Sequence, residues 1–331
     1  MWFSEENTRK TSVFQGRIFF SVVTEQQLAV FRSILPLKIS QVMGQSHFIK
    51  KDIIMNAFEK IVHFFEAEME RPTNYGWFHL MFVGIVIIST VFLCLKFKDC
   101  NDKTFKRIAL ICWIVMVVLE IYKQIVFTFD YDGVSTVTWD YAWYAFPYQL
   151  CSTPLYVLPF IAFLNDGKIR DAFISYMAFF SLFGGIAVFF YPNDVFIETI
   201  GINIQTMIHH GLQIVLGIYF IVHERRKFGI KLYLKSIPVF ASLVAIAVIL
   251  NEAMFKYLTV NGMDDTFNMF YISRHFDCSL PILADVYKAV PYVVFSLIYI
   301  LGFALVSFII YLVEKLIFFI VKRSKSYAKQ D

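Results

Sequence analysis

The chain has 331 residues, 58% of them hydrophobic and 18% aromatic, with a mean hydropathy of +0.61. Soluble domains are nearer half apolar, so this composition excludes an ordinary soluble globular protein and points to a polytopic membrane protein. The formal net charge of +4 gives no reason to expect a nucleic-acid partner, and the basic residues are better explained by membrane topology.

Residues 1–75 hold no apolar run long enough to cross a bilayer and no secretory signal, so the first apolar segment is expected to act as the membrane signal. From Asp52 to Glu70, Ile54, Phe58, Ile61, Phe65 and Met69 recur at helical spacing, with Lys51, Glu59, Glu66 and Glu70 largely elsewhere on the wheel. This predicts an amphipathic helix, either packed on its own bundle or lying on the membrane surface. Pro72 and Asn74 mark the break that follows.

Seven apolar segments come next, at about 76–95, 107–128, 142–163, 171–191, 203–222, 236–255 and 287–313. Each is near the ~20 residues a spanning helix needs. The expected fold is an all-α bundle of about seven transmembrane helices. Residues 1–75 form an N-terminal tail, 76–313 the membrane domain and 314–331 a basic cytoplasmic tail.

Charge orients the bundle. Basic residues gather after segment one (Lys96, Lys98, Lys103, Lys106, Arg107), after segment three (Lys168, Arg170), after segment five (Arg225, Arg226, Lys227, Lys231, Lys235) and in the tail. Loops 129–141 and 192–202 contain no Lys or Arg. The alternation puts the C-terminus in the cytoplasm and the N-terminus outside, in a cell membrane.

The polar residues inside the segments are the candidate site. Cys151 interrupts segment three within Phe146-Pro147-Tyr148-Gln149-Leu150-Cys151-Ser152-Thr153-Pro154. Counted from the outer ends of their segments at 1.5 Å per residue, Cys151, Glu120 and His210 lie about 10–13 Å deep, with His79 shallower. Gln124 is one turn after Glu120, and Gln205 and Gln213 flank His209 by four residues on either side. Polar groups in hydrocarbon need partners, so these residues should share a pocket. Pro147 suits the first turn of a helix and Pro154 should lie inside it, freeing the carbonyl of Leu150 and leaving backbone polar groups open to a substrate.

Two chemistries fit these residue types. A thiol beside an imidazole makes a nucleophile, with a carboxylate or amide to orient the ring. His79, His209, His210 and Glu120 could in principle hold zinc, but neighbouring histidines on a helix point about 100° apart and no paired-ligand spacing is present, so no metal is assigned. The bland readings are that Cys151 fills space in a helix and that Glu120 and Lys123 form a structural ion pair. Cys94 and Cys112 are read as fillers, and Cys278 alone in an outer loop implies no disulfide framework.

Further residues along 76–313 carry a resemblance. They are His79-Leu80 with Gly84, Glu120 and Gln124, Pro147 to Ser152, His210-Gly211, Asn251, Asn268-Met269-Phe270 and Pro291-Tyr292. In these the chain resembles the YwaF family of bacterial integral membrane proteins, which is related to eukaryotic transmembrane protein 164. It departs in its longer N-terminal tail, in a loose outer-loop motif at Phe267-Asn268-Met269 and in the polar run Arg274 to Asp277. The eukaryotic branch resembles a cysteine-dependent acyltransferase that moves fatty acyl chains between lipids. The resemblance implies Cys151 as the acyl-accepting nucleophile and His210 as base; on the residues themselves, Glu120, Gln149 or Gln124 would orient the imidazole or bind the oxyanion. Gln149, Gln124, His79, His209 and Asn268 would then bind substrate. Membrane lipids would be the partners, and no cofactor is needed if phospholipid is the donor. The alternatives are a transporter or lipid-binding protein that uses the same pocket without covalent chemistry, and a metal-dependent membrane hydrolase.

Overall fold

The computed structural model describes residues 57–131, 136–192 and 195–327. The fold is all-α and polytopic, with one two-stranded ribbon among the described residues, β1 (Phe129–Tyr131) and β2 (Val137–Trp139). Chain packing defines two units. The smaller contains residues 57–64, most of helix α1 (Ala57–Phe65), together with Tyr131 and residues 136–138. Within it the rings of His63 and Tyr131 lie 5.1 Å apart. The larger, residues 65–130 and 139–327 of those described, holds every candidate span.

The amphipathic helix expected over 52–70 ends at Phe65, and its first five residues lie outside the described part of the chain. The backbone beyond it takes other partners: Met69 N–H donates to the Glu198 carbonyl at 2.6 Å and Ile200 N–H to that of Ala67 at 3.0 Å. Strand-like pairing with 198–200 therefore replaces another helical turn.

Among the described residues six helices are long and apolar enough to cross a membrane. They are α2 (Trp77–Lys96), α3 (Asp102–Val126), the run Lys168–Phe190, α7 (Ile200–His223), α8 (Ile230–Val260) and α10 (Tyr292–Tyr327). The run is α5 (Lys168–Tyr176), a π-helical stretch (Met177–Ser181) and α6 (Leu182–Phe190). A short helix α9 (Leu283–Ala289) precedes α10.

The third expected span is different. Residues 142–149 form no α-helix; 3₁₀ turns at Trp143–Ala145 and Leu150–Ser152 lead into a short helix, α4 (Pro154–Phe163). Proline chemistry is the reason. Phe146, before Pro147, is extended (φ −50°, ψ 134°), as the residue before a proline prefers, so Pro147 stands ahead of the helix and not in its first turn. Pro154 starts α4, where a missing N–H costs nothing, and does not lie inside it. The proline inside α4 is Pro159. It withholds an N–H from the Leu155 carbonyl, and the Trp113 indole on α3 supplies one at 2.8 Å.

The span with the lowest hydropathy lies at the centre. The apolar window of α7 is 72% buried, against 22% for α2 and 17% for each of α3 and α10. Its His209, His210, Gln205 and Gln213 would be costly against lipid, so the helix that carries them is surrounded by others. Helices α2 and α6 pack on it closely. A Cβ on Gly185 of α6 would stand 2.7 Å from the His210 carbonyl oxygen, and one on Gly211 of α7 would stand 2.7 Å from a Val86 methyl on α2. Small residues at these crossings bring the backbones together.

The basic loops are cross-linked by acids. Arg170 bonds Asp102 and, at 3.1 Å, Asp166. Lys227 reaches Asp166 at 2.7 Å, Asp171 at 3.1 Å and Glu224 at 3.2 Å, while Lys235 meets Asp171 at 2.6 Å. Arg225 bonds Asp99. All five cysteines are free thiols.

Candidate functional site

Cys151 sits in the 3₁₀ turn between the extended stretch and α4. The carbonyls expected to be open here are satisfied internally. That of Leu150 accepts the Thr153 hydroxyl at 2.6 Å, and Thr153 in turn meets the Tyr176 hydroxyl at 2.7 Å. The Cys151 carbonyl accepts two bonds from α7, from His209 Nε2 at 2.8 Å and from Gln213 Nε2 at 2.8 Å. Two side chains one turn apart on the central helix thus clamp the backbone of the cysteine.

The hydrogen bonds fix the histidine tautomers, because a carbonyl only accepts. His209 donates from Nε2, so in the neutral ring its Nδ1 carries the lone pair, and this atom is buried without a partner. His210 donates from Nδ1 to the Thr206 carbonyl at 2.8 Å, which leaves Nε2 as the basic nitrogen. Among the described residues that Nε2 has no hydrogen-bond partner. The two rings are 5.6 Å apart between centroids. His79 accepts at Nδ1 from the Tyr75 N–H at 3.1 Å, so it is protonated at Nε2, a buried atom also without a partner.

Among the described residues no hydrogen bond joins the Cys151 thiol to either histidine of α7; each ring has one nitrogen on a backbone carbonyl. Glu120 and Lys123 lie one turn apart on α3, the helix that packs against α4. Glu120 Oε1 accepts from Lys123 at 3.2 Å and from Gln124 at 2.7 Å. The ion pair weighed from the sequence is therefore formed. Glu120 also lines a cavity of about 410 Å³ together with Gln124, Thr128, Leu155 and Tyr156. His209 thus meets the backbone of Cys151, while Glu120 shares a cavity wall with α4, the helix that follows Cys151. His79 has other company, its ring packing against Tyr75, Phe189 and Phe196.

Three amides read as substrate contacts have structural partners. Gln124 Nε2 also donates to the Ala145 carbonyl at 2.9 Å, and its Oε1 accepts from the Tyr141 hydroxyl at 2.8 Å. Gln149 donates to the Asn268 carbonyl at 3.0 Å and accepts from the Phe270 N–H at 2.8 Å. The Asn268 side chain bonds Ser273, Phe276 and Asp277 within its own loop. Asn251 makes a matching pair with Met269, at 3.0 and 2.7 Å. These bonds hold Phe270 and Tyr271 in the left-handed region (φ 58° and 55°), which costs on the order of 1–3 kcal/mol per residue. Residues scattered over three segments of the sequence therefore converge on one strained turn beside the entry to α4.

Gln213 is the functional candidate that sequence reasoning placed only as a neighbour of His209. Spacing could put it on the face of His209, but only the tertiary fold shows what that face meets. No group of three His, Cys, Asp or Glu side chains able to hold a metal occurs among the described residues.

Among the described residues six apolar spans, one of them the buried helix α7 whose polar face holds a cysteine-bearing turn, define a multi-pass membrane protein with a buried polar centre. The model of the TMEM164 family matches residues 74–313, and the chain belongs to that family. No curated protein and no solved structure matches it.

Proposed function

We propose that this protein is an intramembrane acyltransferase that works through an acyl-thioester on Cys151 and takes membrane lipids as substrates, in a cell membrane with its N-terminus outside. The observation that carries the proposal is the clamp on Cys151. A backbone held at a helix break by His209 and Gln213 suits a positioned nucleophile better than a space-filling side chain. The free Nε2 of His210 supplies the base.

In the proposed cycle a rotation of the Cys151 side chain brings the thiol to His210. Nε2 takes the thiol proton as sulfur attacks the ester carbonyl of a phospholipid. The C–O bond breaks, and His210 returns the proton to the leaving lysolipid oxygen. An acceptor hydroxyl then gives its proton to His210 and attacks the thioester, and the thiol is regenerated. His209 and Gln213 act as positioning residues, and Gln149 acts through the turn at 268–271. Glu120 and Lys123 supply the local field.

Incubation of the purified protein with phospholipid should give an acyl adduct on Cys151 that hydroxylamine removes. Cys151→Ala and Cys151→Ser should give none, and His210→Ala should slow adduct formation. A wild-type protein in native lipid that forms no adduct, with full cellular function retained by Cys151→Ala, would return the cysteine to a packing role.

A further inference from the structure

A second cavity, of about 600 Å³, lies between α4, α5 and α8, and its chemistry differs from that around Cys151. Its walls are apolar, with Val157, Phe160, Phe173 and Leu243 among them. Two cations, Lys168 and Lys235, stand at one end. At the other end are Tyr148, whose hydroxyl donates to the Leu243 carbonyl at 3.3 Å, and Tyr156, which donates to that of Pro147 at 2.7 Å.

Length and charge point to one class of occupant. Along α8 the lining runs from Lys235 to Ile246, eleven residues or about 16 Å at the helical rise. That is close to half of the ~30 Å hydrocarbon core, the depth of one leaflet's acyl chains. No acid lines the groove. Lys235 is paired with Asp171, at 2.6 Å, but an ammonium has three donors. Lys168 is exposed and pairs with no acid among the described residues. Asp166 and Asp171 nearby are engaged by Arg170, Lys227 and Lys235.

We infer that this groove is a binding site for a net-negative glycerophospholipid, with the phosphate on Lys168 and Lys235 and one acyl chain along the groove toward Tyr148 and Tyr156. In the orientation read from the loop charges, the lipid belongs to the cytoplasmic leaflet, where anionic lipid is enriched. Its ester sits at the lysine end, a leaflet's depth from the tyrosines, so it is not the bond Cys151 would attack. Tyr156 also lines the cavity of Glu120, so the tip of the chain abuts the wall of that cavity. The inference rests on the membrane setting and is independent of the chemistry proposed for Cys151.

The test uses the full chain carrying Cys151→Ala, so that acyl transfer cannot contribute. Native mass spectrometry would count phosphatidylglycerol and phosphatidylcholine retained per chain from equimolar mixtures. One phosphatidylglycerol should be held in preference to phosphatidylcholine. Lys168→Gln breaks no ion pair among the described residues and should cut that preference about fivefold. Ser242→Trp, which fills the groove and leaves both lysines in place, should displace both lipids. An unchanged preference in Lys168→Gln, or phosphatidylglycerol still bound in Ser242→Trp, overturns the site. Absence of the hydroxylamine-sensitive adduct in the wild-type chain, with lipid retention intact in the Cys151→Ala chain, would overturn the acyl-transfer reading and leave this one standing.

Discussion

The clamp on the Cys151 carbonyl can be tested by a double-mutant cycle. Gln213→Leu removes one of the two donors, and His209→Leu removes the other. Either single change leaves the carbonyl with a partner, so each loses one interhelical hydrogen bond, about 0.6 kcal/mol in a membrane protein. Each also deletes an atom buried without a partner, Gln213 Oε1 or His209 Nδ1, and this offsets part of the loss. Single variants should therefore fall within about 1 kcal/mol of wild type. The double variant leaves the carbonyl with neither donor, which adds about 1–3 kcal/mol that neither single change shows. Reversible unfolding in mixed micelles would measure the coupling, and adduct formation on Cys151 would report the looser nucleophile. Strictly additive stabilities, with undiminished adduct formation in the double variant, would refute the clamp.

Three further outcomes are expected. Cysteine probes placed in loops 129–141 and 192–202 should react with an impermeant reagent added outside, and probes in 223–235 should not; the opposite pattern would reverse the orientation. Gly185→Ala should destabilise by about 1–3 kcal/mol in spite of its better helix propensity, because the new methyl meets a backbone carbonyl 2.7 Å away, and a neutral result in a melting assay would refute that contact. The loop acids should give an acid-sensitive limb: the Lys227 hydrogen bond holds Asp166 below the usual carboxylate range, and in Glu224 the upward pull of burial is outweighed by bonds from His223 and Lys227. Groups lowered in the fold stabilise it above their unfolded values near 4 and lose that contribution as pH falls below them, so stability should decline from about pH 5 toward 3. Lys227→Met should flatten this limb, and an unchanged slope would rule the network out as its source.

Much of the architecture was legible because hydrocarbon is a demanding solvent. A span of ~20 apolar residues has to satisfy its own backbone, so composition alone located six of the long helices and the all-α class. Segment three was misjudged because its hydropathy resembles that of the others, while its prolines act on backbone geometry. Pro147 and Pro154 turned an expected 22-residue helix into an extended entry, a 3₁₀ turn and a short helix.

The candidate site divides along the same line. The sequence by itself determined that Cys151, Glu120, His209, His210, Gln124 and Gln149 are polar groups in apolar segments, hence groups that must find partners. Only the tertiary structure decided which partners these are. Helical spacing places His209 and Gln213 on one face of α7, but the crossing of helices brings the Cys151 carbonyl to that face, and the hydrogen bond to Thr206 leaves Nε2 of His210 as its basic nitrogen. In the same way Gln149, Asn251 and Asn268 are far apart in the chain and meet at a single strained turn. Hydropathy and periodicity are sums over neighbours in sequence. Hydrogen-bond choice is settled between groups separated by up to 127 residues, whose distance the chain alone does not encode.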